Sequence, residues 1–240
     1  MKEYINKLYK KDKESYYKEI NNDLKNKKKR FIVTVNPETL MVCKNDDELK
    51  AILDDDNVSF VPDGIAVVKA SKWLNMPVKE RITGVDIAEY LLELANKNKY
   101  SMFLFGAKKE VIEALVDKIK NEYPNIKLLG YSDGYVSDRD KVMKEIVKIK
   151  PDICLVALGI PYQEKLIYKY LDKFDKGIFV GVGGSFDVLS GSKKRAPKFF
   201  IKTNTEWLYR IVCEPKRLKR FWNNNVKFIF DVWKEKGKND

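Results

Sequence analysis

Short apolar runs recur along most of the chain, each closed by glycine, proline, asparagine or serine. They are "RFIVTVN" (30–36), "VSFVP" (58–62), "YSMFLFGA" (100–107), "IKLLGYS" (126–132), "DICLVALG" (152–159) and "GIFVGVG" (177–183). Most are apolar throughout rather than alternating, the pattern of strands buried on both faces. Between them apolar residues return every three or four positions. The clearest cases are "GVDIAEYLLELANKN" (84–98), "KEVIEALVDKIKNEY" (109–123) and "SDRDKVMKEIVKIK" (137–150), the last with Ser137 as its expected N-cap. Strands alternating with helices predict an α/β fold: a Rossmann-like, mostly parallel sheet with flanking helices.

In such a sheet, ligands sit beyond the carboxyl ends of the strands. The turns there carry Asn36, Pro62-Asp63-Gly64, Gly106-Ala107, Gly130 to Gly134, "GIPYQE" (159–164) and "GVGGSFD" (181–187). Glycine lets backbone approach a ligand, and the helix start that follows offers N–H groups to phosphate. Each turn alone reads equally as plain chain reversal. Asp63 stands where an apolar strand meets an apolar helix, and it can cap that helix or act as an acid–base group.

After about Thr203 the strand signal ends. Leu218, Phe221, Trp222, Ile229, Val232 and Trp233 fall at helical spacing on one stripe, with Arg217, Lys219, Arg220 and Lys227 off it. This predicts a core at residues 1–202 and a basic, amphipathic helical appendage at 203–240. The stripe suits a helix packed on its own core and equally a helix lying in a membrane interface. Charge sharpens the choice. Residues 191–240 hold 14 Lys/Arg against 5 Asp/Glu and three of the four tryptophans, whereas the preceding residues hold 33 against 30. A basic, aromatic tail on a nearly neutral body points to an anionic surface, membrane or nucleic acid.

Composition removes other options. No apolar run is long enough to span a bilayer, and the opening residues lack the apolar stretch of a secretory signal. Cys43, Cys154 and Cys213 lack metal-ligand spacing and fit a reducing cytoplasm. The chain has no histidine, so acid–base chemistry falls to carboxylates, Lys, Tyr or Cys. "GVGGSFD" lacks the third glycine of a dinucleotide fingerprint, and no P-loop is present. Two D-x-D pairs could serve a metal-dependent sugar transferase. Asp54 and Asp56 precede a strand, on the wrong edge, and Asp138 and Asp140 open a helix, where acids suit the macrodipole. Both read as structural. Without a metal, a leaving diphosphate needs arginines or helix N-termini, and Arg195, Arg210, Arg217 and Arg220 are at hand.

"VTVNPETL", "VPDGIAVV", "RITGVDI", "LFGAKKEV", "ALGIPYQEKLI", "GVGGSFDVLSGSKKRAP" and "NTEWLYRIVCEPKR" occur in this order. Together they resemble the WecG/TagA/CpsF family of bacterial glycosyltransferases from about Arg30 to Arg220. The family opens with a strand and a helix, which here are replaced by the lysine-rich "INKLYKKDKESYYKEI". The resemblance implies an inverting transferase needing no metal or other cofactor. It moves N-acetylmannosamine from a UDP donor to a polyprenyl-diphosphate-linked acceptor, undecaprenyl-diphosphate-linked N-acetylglucosamine, for teichoic acid or another surface polymer. The implied setting is cytoplasmic, peripheral on an anionic membrane surface, with no nucleic-acid partner and with room for a homo-oligomer. It makes Asp63 the catalytic base. It also assigns substrate contacts to Thr34, Asn36, Arg81, Gln163 and Asp187, and diphosphate contacts to Arg210, Arg217 and Arg220. Asp86 would line the same pocket as Arg81, unless the two only pair with neighbouring elements. The alternative is a related UDP-hexose transferase with another donor sugar. A nucleic-acid binder using the basic tail would leave the Asp63 and Gln163 turns unexplained, and the intact acid and arginines argue against an inactive membrane-docking relative.

Overall fold

The computed structural model describes residues 1–237; the side chains of Lys198, Lys202, Arg210, Arg217 and Arg220 lie outside the described residues. In chain order the first elements are α1 (Lys2–Asn6), α2 (Lys13–Lys25), β1 (Lys29–Val35), α3 (Pro37–Cys43), α4 (Asp47–Asp54), β2 (Val58–Pro62) and α5 (Ile65–Trp73). There follow α6 (Gly84–Asn98), β3 (Ser101–Gly106), α7 (Lys109–Glu122), β4 (Lys127–Ser132), α8 (Arg139–Ile149), β5 (Ile153–Ala157), α9 (Tyr162–Leu171) and β6 (Gly177–Gly181). After the sheet come α10 (Ser185–Leu189), α11 (Lys198–Lys202), α12 (Glu206–Cys213), α13 (Arg217–Phe221), a π-helical turn at Trp222–Val226 and α14 (Lys227–Lys236).

The strands form one sheet in the order β2-β1-β6-β5-β3-β4, and every neighbouring pair is parallel. Residues alternate between its faces as the pleat requires. Phe31, Val33, Cys154, Val156 and Phe179 enter a core shared with α1, α3, α4, α5, α8, α9 and α14. Ile32, Leu155, Ile178 and Val180 enter a second core with α2, α6, α7 and α10. Parallel pairing carries every strand's carboxyl end to one edge, as expected.

Three local expectations change. The cap of α8 is Asp138, not Ser137: its carboxylate accepts from Lys141 N at 2.9 Å, and a charge there also suits the helix dipole. Of the strand that opens the family pattern, a single bridge remains, Leu8 beside Phe60, with Tyr9 N donating to Phe60 O at 2.8 Å. The tail stripe does not share one environment. Val232 is fully buried in the first core together with Phe228, whereas Leu218, Trp222, Ile229 and Trp233 are exposed. The half-buried Phe221 stacks on Trp207 at 4.7 Å. A π-helical turn lies between α13 and α14, and the division between buried and exposed positions falls within α14 itself.

Glu164, on the first turn of α9, is a carboxyl with no solvent exposure. Burial raises its pKa to about 7, and Glu38 adds a like charge.

Two predictions follow from this packing. Phe228→Ala should cost about 3–5 kcal/mol in urea unfolding, the penalty of a core cavity, whereas Trp233→Ala should stay within about 1 kcal/mol. Parity between the two would mean that α14 does not belong to the core. Glu164 should make stability fall with rising pH. Below its ordinary value of 4.5 both folded and unfolded chains hold the proton. Above that, the unfolded chain releases it first, and the loss is complete once pH passes about 7. The loss is on the order of 3 kcal/mol at ~1.4 kcal/mol per unit. Glu164→Gln should therefore gain more stability over wild type at about pH 8 than at about pH 5. An equal gain at both would place the titration elsewhere.

Candidate active site

Val35 and Pro62 are paired in the β1–β2 register, so the next residues, Asn36 and Asp63, emerge side by side. Asp63 N donates to Val35 O at 2.9 Å, tying the two turns. The turns are also in direct contact: a Cβ on Gly64 would come within 2.8 Å of Pro37 Cδ. Only glycine allows that approach. Gly64 is the N-cap of α5, and the half-buried Asp63 stands one residue before it.

Asn36 caps α3. Its Oδ1 accepts from Glu38 N at 2.9 Å and Thr39 N at 3.1 Å. That fixes the amide orientation and leaves Nδ2 as the end not used in capping. Thr34 lies deeper, nearly buried, and its hydroxyl donates to Gly181 O on β6 at 3.3 Å. Gln163 is buried on the far side of Gly181, where an added Cβ would stand 2.7 Å from Gln163 Nε2. Gln163 Oε1 accepts from Gly159 N at 3.1 Å and Gly183 N at 3.0 Å, so one side chain joins the turns after β5 and β6. Its Nε2 donates to Glu164 Oε1 at 2.7 Å. Asp63, Asn36, Thr34 and Gln163 thus gather across the ends of four consecutive strands, β2, β1, β6 and β5.

The other expected residues stand around this group in ion pairs. Ile82 N donates to Pro62 O at 2.8 Å, which draws the preceding Arg81 toward the Asp63 turn. Arg81 pairs with Glu206 at the start of α12 at 2.9 Å, and both side chains are largely buried. Asp86 pairs with Arg195, which also holds Glu89 at 2.6 Å. Arg81 and Asp86 therefore link separate elements. Asp187 on α10 pairs with Lys193 at 3.3 Å, and Lys193 reaches Glu214 at 3.1 Å. Arg210, Arg217 and Arg220 belong to α12 and α13, and their side chains lie outside the described residues.

The D-x-D pairs are engaged structurally. Asp56 pairs with Lys7 at 3.0 Å, and Asp54 lends its carbonyl to the same lysine at 2.7 Å. Asp138 caps α8, and Asp140 accepts from Lys169 and Tyr170, each at 2.8 Å. Among the described residues no group of three or more His, Cys, Asp or Glu is arranged to hold a metal ion, and no helix is long and apolar enough to cross a membrane.

Two residues went unnoticed in the sequence. The buried face of α9 carries Ile167 and Leu171, and stepping back three or four positions lands on Gln163 and Glu164. That periodicity was the available signal for Glu164. Glu206 had none, because its partner is far away in sequence.

At this edge a carboxylate, two amides and a hydroxyl stand at the ends of neighbouring strands, close to the helix starts of α3 and α5, residue types able to bind a polar ligand and move a proton. The chain matches the Glycosyl transferase WecG/TagA/CpsF family over residues 6–240. It is 48% identical over 204 residues to a protein of Bacillus subtilis, covering 85% of this chain and 79% of that one. A Bacillus spizizenii protein is 44% identical over 191 residues, covering 79% and 74% respectively. One from Staphylococcus aureus is 37% identical over 209 residues, covering 87% and 81%. All three bear the name N-acetylglucosaminyldiphosphoundecaprenol N-acetyl-beta-D-mannosaminyltransferase. Matched over nearly its whole length, and sharing more than a third of its aligned residues with each of these relatives, the chain belongs to the WecG/TagA/CpsF family and is a glycosyltransferase.

Proposed function

We propose that this glycosyltransferase moves N-acetylmannosamine from UDP-N-acetylmannosamine to undecaprenyl-diphosphate-linked N-acetylglucosamine, with inversion and without a metal. The product would feed teichoic acid or a related surface polymer. The relatives' shared name supports the sugar and the acceptor. The observation that carries the chemistry is Asp63 beside Asn36 at adjoining strand ends.

In the proposed step the acceptor hydroxyl attacks the anomeric carbon from the face opposite UDP. Asp63 takes the hydroxyl proton as the new C–O bond forms. The bond from the anomeric carbon to the diphosphate oxygen breaks, and its electron pair leaves with UDP. Asn36 Nδ2 is turned to donate to a sugar or phosphate oxygen. The start of α5 carries no acidic residue in its first turn and offers backbone N–H groups to negative charge. Arg210, Arg217 and Arg220 would add cations at the diphosphate. Metal independence draws support from both D-x-D pairs being tied into ion pairs and a helix cap.

A second part of the reading is membrane contact at the inner face. Its support is the exposed aromatics along the tail, Phe199, Trp222, Phe230 and Trp233, set among lysines in sequence. Exposed apolar side chains of this size suit an interaction surface, and basic residues beside them favour anionic lipid.

Two measurements test these assignments. Asp63→Asn should lower turnover about a hundredfold or more while UDP binding persists, the usual cost of losing a positioned base. The assay uses UDP-N-acetylmannosamine beside other UDP-sugars, with and without EDTA. Near-normal turnover in the variant would remove Asp63 as base, and EDTA inactivation reversed by magnesium would remove metal independence. Co-sedimentation with vesicles should require anionic lipid, weaken in high salt and fall in a Trp222→Ala/Trp233→Ala variant. Binding indifferent to lipid charge and to both tryptophans would end the membrane reading.

A further inference from the structure

Glu164 has no part in the step above, yet it is the most enclosed carboxyl near the site. Its side chain has no exposure. Oε1 accepts from Gln163 Nε2 at 2.7 Å, and Oε2 has no partner among the described residues. Beyond Gln163, Oε1 of the amide receives the backbone N–H groups of Gly159 and Gly183. A carboxamide satisfies this setting in one orientation only. Turned over, it would press its NH2 against two N–H donors and its oxygen against a carboxyl oxygen. The acceptor at Glu164 therefore selects the orientation in which Gln163 can hold both glycine turns.

Contact on the other side leaves little slack. Gly181 approaches the Gln163 amide closely and receives the Thr34 hydroxyl through its carbonyl. A shift of the amide would reach β6 and, through it, β1. The carboxyl is also a poor choice for stability alone. A buried acid with an open oxygen weakens a fold. Groups that cost stability and sit behind a site are characteristic of a requirement for activity.

The geometry points to Glu164 as a positioning residue of the donor subsite, acting through Gln163 to set the separation of the turns after β5 and β6. The word "donor" rests on the transferase reading above; the link from Glu164 through Gln163 to the two glycines does not.

The full chain is tested as Glu164→Gln, Glu164→Met and Gln163→Met. Readouts are thermal midpoint, UDP affinity by calorimetry, steady-state kinetics, and the ¹H–¹⁵N amide signals of Gly159 and Gly183. In Glu164→Gln the new amide oxygen can still accept from Gln163, so the glycine signals should stay in place and turnover should remain within about threefold. Glu164→Met leaves Gln163 Nε2 without its acceptor, so it should displace both glycine signals and lose about tenfold or more in kcat/KM, mainly through the donor KM. A merely structural carboxyl would lower the thermal midpoint with the donor KM unmoved, and that result overturns the proposal. Unmoved glycine signals in Glu164→Met overturn it as well. Should Glu164→Met not fold, the other two variants decide: Glu164→Gln must leave both signals unmoved and Gln163→Met must displace both, and either failure overturns it. Wild-type protein that neither binds UDP nor transfers sugar would instead remove the transferase reading, while the glycine signals still report on the positioning.

Discussion

Parallel pairing is the constraint from which the rest follows. A strand can be followed by a parallel neighbour only after a crossover, and each crossover must bury an apolar face on one side of the sheet. With six strands all pointing one way, every strand-to-helix turn falls on the same edge. Residues far apart in sequence become neighbours there. Asn36 and Asp63 lie next to each other because Val35 and Pro62 are in register, and Thr34 meets Gly181 because β1 also borders β6. Register, set by the apolar pleat, aligns the polar residues beyond it.

The same constraint explains what could be read in advance. Apolar runs, most of them without alternation, marked the six strands, and glycine, proline, asparagine and serine marked their ends, because the chemistry of burial and of turns is local. The α/β wiring placed Asn36, Asp63 and the 159–164 turn at one edge, and the family resemblance singled out Thr34 and Gln163. What periodicity did not reveal is how each side chain is occupied. Gln163 accepts from two glycine N–H groups and donates to a carboxyl, and Asn36 uses its oxygen in a helix cap. Such partners are matters of a few tenths of an ångström. Glu164 looked like an ordinary charged residue in a helix because its burial depends on packing that no local pattern carries.

The tail was the hardest part to read, for a specific reason. A stripe counted at regular helical spacing assumes an unbroken helix. A π-helical turn interrupts the tail at Trp222–Val226, and within α14 Phe228 and Val232 face the core while Ile229, Phe230 and Trp233 face outward. The packed-helix reading therefore holds for Val232, whereas Ile229 and Trp233 stay exposed.

The Arg81–Glu206 pair ties α12 to a segment that hydrogen-bonds Pro62, the residue before Asp63. Thermodynamic linkage makes such a tie work in both directions. Whatever seats α12 against the body also biases the turn that carries the carboxylate, and a ligand that prefers the seated turn strengthens the hold on α12 by the same factor. Any displacement of α12 would have to break this pair or carry with it the segment that adjoins the Asp63 turn.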